Sequence, residues 1–308
     1  MRSVLCKTAL LTCTRTHSGD RFWYDTRPTL RKTVEDRATQ FSDSEVEYEI
    51  ERRMKKLRLE PPFKGIHICP ASSLDVPDDQ TVRLVILSPS ETVTTSSHGC
   101  TALDIAEKFL ESRGSSPRIF RNMLVFLAPD QTSMSALEQE TRRYLAWQSI
   151  KNDSQDLNLD AAQNRETENS LKRSDETVDL RLNETWCWLL TPAITRSDMK
   201  TVEWEKTRLS GAIEGIISRA GKKLLENETV IDKWAPALLL MELDSLLWKD
   251  ADSLQIKKLW EYLCIYCYLP RLSDYSVLEK AIHEGVQEKD YFAYAAGVSE
   301  GRFIDLKY

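Results

Sequence analysis

Residues 121–150 read RNMLVFLAPDQTSMSALEQETRRYLAWQSI. From Met123 to Ala128 no side chain is polar. Successive side chains of a strand point to opposite faces, so an unbroken apolar run predicts a strand covered on both sides. Asp130 closes the run. Ser135 and Glu138 then have the spacing of a capping box, which predicts a helix to Ile150 with Leu137, Tyr144, Leu145 and Gln148 on one side.

The preceding sequence supplies neighbours for that strand. Phe22-Trp23-Tyr24, Gly65–Cys69 and Val82–Leu87 are apolar segments bounded by turn residues, and helical patterns lie between them. One helix starts near Thr29. A second runs from Ser42 to about Leu59, opened by the Ser42/Glu45 capping box, with Val46, Ile50, Met54 and Leu57 on one face. A third spans Ala102–Arg113 after the Ser/Thr-rich loop Ser88–Cys100. Parallel strands need a crossover, so this alternation predicts an α/β domain over 21–150 with a mostly parallel sheet.

On either side of it the pattern changes. Residues 1–20 hold a few apolar residues and then a polar, turn-forming stretch from Thr14, which predicts a truncated leader without a complete element. Residues 151–200 are polar but poor in proline and glycine. Leu171, Val178 and Leu182 recur at helical spacing, predicting an exposed helical arm, followed by a strand at Thr185–Thr191 that Pro192 stops. From Trp204 a mainly helical region is expected over 201–308, with helices at 209–225, 231–248 and 254–268. Its last part, a helix Tyr275–Val286, Tyr291–Tyr294, a turn and Arg302–Leu306, has the helix–hairpin order of a winged-helix-like unit.

With 308 residues the chain is long enough for two cores, and 41% hydrophobic with 29% charged residues is the composition of a globular protein. A net charge of −6 provides no general field for phosphate backbones, so any nucleic-acid contact has to be local. Seven cysteines, an odd number without framework spacing, suit a reducing compartment, and a cytoplasmic location is expected. No apolar run is long enough to cross a bilayer, and no membrane partner is expected.

A P-loop needs glycines whose amides converge on phosphate, followed by Lys and Ser or Thr. Ala220-Gly221-Lys222-Lys223 has the Gly-Lys pair without the upstream glycine and lies in a helical pattern. Asp130 stands at a strand end, where a magnesium-directing acid can sit in an open α/β sheet, but Pro129 intervenes and no second acid is adjacent, so a turn or helix-cap role is the preferred reading. Cys264 and Cys267 form a lone C-x-x-C with no second pair, and His283 stands alone, which falls short of a zinc set. His98-Gly99-Cys100 lies in a loop without a third partner. The tryptophans at 186, 188, 204, 234, 248 and 260 read as core anchors. Candidate contacts to nucleic acid or a partner are Arg52 and Arg53 in a basic run, Arg142 and Arg143, and Arg302 with Lys307 on the terminal hairpin. Against this, the helix before that hairpin carries Asp274, Glu279, Glu284 and Glu288 against Lys280, which repels phosphate. No catalytic, cofactor-binding or metal residue is assigned.

Several longer segments carry a family likeness: DRFWYDTRPTLR at 20–31, SSLDVPDDQTVRLVIL at 72–87, RNMLVFLAPD with RRYLAWQSI, DLNLDAAQ at 156–163, LKRSDETVDLRLNETWCWLLTP at 171–192, NETVIDKWAPALLLMELDSLLW at 227–248, LWEYLCIYCYLPRLSDYSVLEKAIHEGV at 259–286 and DYFAYAAG at 290–297. Together they resemble, collinearly over 19–308, the carboxyl-terminal part of the domain-of-unknown-function 499 family, the PglY-like, anti-phage-associated AAA-type ATP-binding proteins. The resemblance implies a parent family of ATPases found with phage-defence components. Its ATP and Mg core would lie amino-terminal to the DRFWYDT segment, so no cofactor is expected in this chain and no Walker residue carries over. What it implies here is a non-catalytic regulatory or interaction region whose partner supplies the ATPase core or belongs to the same defence system. A nucleic-acid-binding module and a gene remnant are the alternatives.

Overall fold

The structure, a computed structural model, describes residues 14–18, 21–25, 29–94, 100–194, 201–211, 214–247, 253–288, 293–294, 298–299, 302–303 and 305–307. In chain order the elements are β1 (Thr14–Ser18), β2 (Arg21–Asp25), α1 (Leu30–Ala38), α2 (Asp43–Met54), β3 (Gly65–Ile68), β4 (Arg83–Ile86), α3 (Thr101–Glu111), the short pair β5 (Ser112–Arg113) and β6 (Ser116–Pro117), β7 (Leu124–Pro129), α4 (Gln131–Asn152) and α5 (Ala161–Thr185). There follow β8 (Trp186–Ile194), β9 (Val202–Arg208), α6 (Ile216–Glu226), α7 (Pro236–Glu242), a π turn Leu243–Leu247, β10 (Ser253–Gln255), α8 (Ile256–Ile265) and α9 (Tyr275–Glu288). The last strands are β11 (Ala293–Tyr294), β12 (Val298–Ser299), β13 (Arg302–Phe303) and β14 (Asp305–Lys307).

The chain divides into two units, residues 1–53 with 133–182 and residues 54–132 with 183–308. In the first, Leu30 and Val34 of α1 meet Ala146 and Ile150 of α4 in a small buried cluster. Thr29 caps α1 by accepting from the Lys32 amide at 3.3 Å. The expected capping box of α2 forms, with the Ser42 amide donating to Glu45 Oε2 at 2.8 Å and the Glu45 amide to Ser42 Oγ at 3.4 Å. Thr14–Ser18 pairs antiparallel with Arg21–Asp25, so an element stands where polarity suggested only turns. The strand expected at Phe22-Trp23-Tyr24 therefore belongs to a separate hairpin and not to the main sheet.

The second unit is built on a five-stranded sheet in the order β3-β4-β7-β8-β9. β3, β4 and β7 are parallel, with Ile66, Leu84 and Val125 in register, and β7 is buried along its whole length as its sequence predicts. β8 and β9 run antiparallel, so the sheet is mixed rather than mostly parallel. β9 corrects the expectation of helix from Trp204. Its sequence VEWEKTR puts Val202 and Trp204 on one face and Glu203 and Glu205 on the other, a period of two that charge density had obscured. The helices after it are also shorter than their apolar patterns suggested, and Leu209 lies ahead of α6. α4 starts at Gln131, ahead of the Ser135 signal.

One sheet face carries a core of Val85, Leu124, Phe126 and Leu190 against Ala106, Phe109 and Leu110 of α3. Phe126 is its centre, edge-on to Phe109 at 6.5 Å and to Trp204 at 5.6 Å. Burying each such aromatic removes enough apolar surface to contribute about 2–3 kcal/mol. Arg118, 3% exposed, donates to the carbonyls of Phe109, Pro77, Val76 and Ser73 and so ties the loop before β4 to the end of α3. Gly221 of α6 approaches the Pro61-Pro62 segment so closely that a Cβ would stand 2.5 Å from the Pro61 carbonyl oxygen. Among the described residues, no helix is long and apolar enough to cross a membrane.

Candidate functional site

An open α/β sheet offers ligands a crevice at the carboxyl ends of its strands where the strand order reverses. Here β3, β4 and β7 follow one another across the sheet in sequence order, so no reversal opens such a crevice. The strand ends are also occupied from within. The Leu87 amide donates to the Leu127 carbonyl at 2.9 Å, while the Leu87 carbonyl accepts from the indole of Trp186, a fully buried side chain, at 3.0 Å. The Val93 amide takes the Pro129 carbonyl at 2.8 Å.

Asp130, the strand-end acid, is 6% exposed and engaged on several sides. Its amide donates to the Thr185 carbonyl at 2.8 Å, one carboxylate oxygen accepts from Trp188 Nε1 at 3.0 Å, and the other accepts from the Thr132 hydroxyl. Both carboxylate oxygens are thus engaged within the protein, one of them by an indole 58 positions away in sequence. Trp186 is the buried anchor expected of it, whereas Trp188 and Trp204 are only half-buried; Trp248 lies outside the described residues.

Four of the basic candidates are paired with carboxylates. Arg53 is 7% exposed and contacts Glu49 at 2.9 Å, Asp175 at 2.6 Å and Asp179 at 2.5 Å, with its guanidinium 4.4 Å from the centre of the Tyr144 ring. Burial works against its charge, but the three carboxylates outweigh it and raise the pKa. Arg52 binds Glu49 at 2.7 Å, Arg142 pairs with Asp43, and Arg143 pairs with Glu140 at 3.1 Å. A phosphate would have to compete with these carboxylates. Arg302 stands on β13 opposite Ser299, and Lys307 on β14 opposite Ser253 and Ala293.

Cys264 and Cys267 are both buried, and burial pushes both thiols up, the opposite of a reactive pair. Cys100 is buried, while His98 and Gly99 lie outside the described residues. Among the described residues, no three His, Cys, Asp or Glu side chains gather in a group that could hold a metal ion.

The amino ends of the same strands are different. A cleft of about 490 Å³ is lined by Lys64, Gln80, Thr81, Lys257, Trp260, Ser273, Asp274 and Tyr275. Lys64 leads into β3, Gln80 and Thr81 lead into β4, Lys257 and Trp260 lie in the first turns of α8, and Ser273–Tyr275 opens α9. Asp79 fixes the floor loop by accepting from the Thr81 hydroxyl at 2.5 Å and from Arg83 Nε at 3.0 Å. Burial raises the Asp79 carboxyl, but Arg83 and Thr81 outweigh it and hold it low. Arg83 in turn stands 3.1 Å from His67 Nε2, and burial with the Arg83 charge lowers the imidazole, which accepts as the neutral ring.

On the opposite wall, Asp274 accepts from Lys64 Nζ at 2.8 Å and from the Ser276 amide at 2.8 Å, and Lys64 first, then that amide, hold its carboxyl below the ordinary range. The Ser273 amide is fixed on the Ile231 carbonyl at 2.9 Å. Arg271, 5% exposed, anchors the approach by donating to the carbonyls of Asn122, Thr229 and Pro192, and Asn122 Nδ2 reaches the Leu263 carbonyl at 2.8 Å. Trp260 and Tyr275 meet edge-on at 5.5 Å and form the aromatic wall. The residues of this cleft share no motif in the sequence. Its one local signal was Asp274 at the start of a helical pattern.

Comparison of the chain with protein-family models, with curated proteins and with solved structures gave no match.

Proposed function

We propose that the chain acts as a non-catalytic regulatory or interaction region, of the kind implied by its resemblance to the PglY-like AAA-type ATP-binding family, and that ATP is bound and turned over by a partner protein. The observation that carries this reading is the occupied carboxyl edge of the sheet, where Trp186, Trp188 and Asp130 stand in place of a phosphate-binding loop. The sequence agrees with it, since Gly221-Lys222 has Lys223 where a P-loop has Ser or Thr. In this reading α5 forms the arm over 151–200, and α8 and α9 with the strands after them form a winged-helix-like end that meets a protein rather than DNA. The location is cytoplasmic and the setting is phage defence.

The test is turnover by the purified chain with ATP and Mg²⁺, alone and with a P-loop protein encoded beside it. No turnover alone, and an altered rate for the partner when the chain is added, is the expected result. Turnover by the chain alone overturns the reading.

A further inference from the structure

The cleft at the amino ends of β3 and β4 has the chemistry of a binding site in its own right. Its volume of about 490 Å³ lies within the range of small-molecule pockets, roughly 300–1,000 Å³. It also combines an apolar wall with a few polar groups, as such pockets do. Three of those groups have no partner among the described residues. Ser273 is 9% exposed, yet its hydroxyl makes no hydrogen bond among the described residues. A hydroxyl so placed faces the cleft, because leaving it buried without a partner would be costly. The Lys257 ammonium and the Gln80 amide likewise have none among the described residues.

Charge decides the sign of the ligand. Among the described residues the lining contains Lys64 and Lys257 against Asp274, a formal +1 on a chain whose net charge is −6. Lys64 and Asp274 already satisfy each other, so Lys257 is the charge left for a ligand. The donor set decides the shape. A planar carboxylate is matched best by the fork of an arginine, and among the described residues no arginine lines the cleft. An ammonium, a hydroxyl and an amide on separate elements suit the several oxygens of a tetrahedral anion. Half-buried Tyr275, braced edge-on by the buried Trp260, offers ring surface beside them.

We propose that this cleft binds a small phosphate monoester that carries a flat ring, with Lys257, Ser273 and Gln80 on the phosphate and Tyr275, backed by Trp260, against the ring. The site is distinct from the occupied carboxyl edge, and the inference does not depend on the ATPase-family reading. The same chemistry occurs in a free nucleoside monophosphate and in a phosphorylated tyrosine of a partner protein.

The test is calorimetric titration of the full chain with phenyl phosphate, inorganic phosphate and benzoate, in the wild type, Lys257→Glu and Ser273→Ala. Phenyl phosphate is expected to bind more tightly than either of the others. Reversing Lys257 should weaken it by roughly tenfold or more, as expected for loss of a charge-assisted contact. Removing the Ser273 hydroxyl should weaken it by roughly threefold, as for a neutral hydrogen bond. Thermal midpoints of both variants serve as the folding control, since Lys257 is exposed and Ser273 Oγ has no bond among the described residues. Adenosine monophosphate and O-phosphotyrosine, titrated in parallel, distinguish the sources within the class. Absence of phenyl phosphate binding at millimolar concentration, tighter binding of benzoate, or affinity unchanged in Lys257→Glu in a folded protein overturns the proposal.

Discussion

At one edge of the five-stranded sheet, the carboxyl ends of β4 and β7 have their backbone groups bonded to Trp186, Val93 and Thr185 and their one acid bonded to Trp188 and Thr132. At the other edge, loops from four elements leave a cleft in which Ser273, Lys257 and Gln80 find no partner among the described residues. Both edges belong to one set of parallel strands, and β4 contributes to each. The usual rule for α/β sheets points to the first, whereas the side chains point to the second. Where a sheet binds is therefore settled by what its strand ends are bonded to, and by whether strand order reverses there.

The comparison breaks most readily at Trp186. Trp186→Ala removes a fully buried indole and the donor to Leu87, and is expected to cost about 3–5 kcal/mol in urea unfolding. A cost under about 1 kcal/mol would mean the edge is not held closed this way. Asp130→Ala should cost less, about 1–3 kcal/mol, because it leaves the Trp188 indole and the Thr132 hydroxyl without their acceptor. Raised ATP affinity in that variant would show that Asp130 blocks a latent site.

Acid separates the edges further. The Asp274 pKa is depressed in the folded protein, so its contribution is fully present above the unfolded value of about 3.9 and is lost as pH falls through the lower folded value. The stability difference between wild type and Asp274→Asn should therefore be constant near neutrality and vanish only below that range. Its size should be about 1 kcal/mol or less, since the Lys64–Asp274 pair is partly exposed. A difference that disappears already between pH 5 and pH 6 contradicts the assignment. Smallest of all, Ser273→Ala should leave unfolding stability within about 0.5 kcal/mol of wild type. A larger loss would reveal a bond for that hydroxyl and remove it from the free donor set.

Local sequence carried some of this and not the rest. The strand β7 was readable because six consecutive residues, Leu124–Pro129, are buried and the run contains no polar side chain. The start of α2 was readable because its capping box is complete within four residues, from Ser42 to Glu45. β9 was hidden because its outward face is charged, and a short alternation with Glu203, Glu205 and Lys206 looks like a solvated helix. The cleft was not readable at all. Lys64, Thr81, Lys257 and Ser273 are joined only by the fold, and none of them carries a signal in its own neighbourhood. The same holds for the closure of the other edge, since Trp186 reaches Leu87 across 99 positions of sequence. Arg53 looked like a surface charge in a basic run until α5 supplied Asp175 and Asp179.

The most direct test of the contrast between the edges is hydrogen–deuterium exchange of the purified chain with and without ATP and Mg²⁺ at millimolar concentration, followed by mass spectrometry of peptides covering 84–94, 124–132 and 183–190. The account predicts unchanged exchange in all three, because the strand-end groups of Leu87, Val93, Pro129 and Asp130 are already bonded within the protein. Protection of these peptides by ATP would contradict it and return the ligand site to the carboxyl ends of the strands.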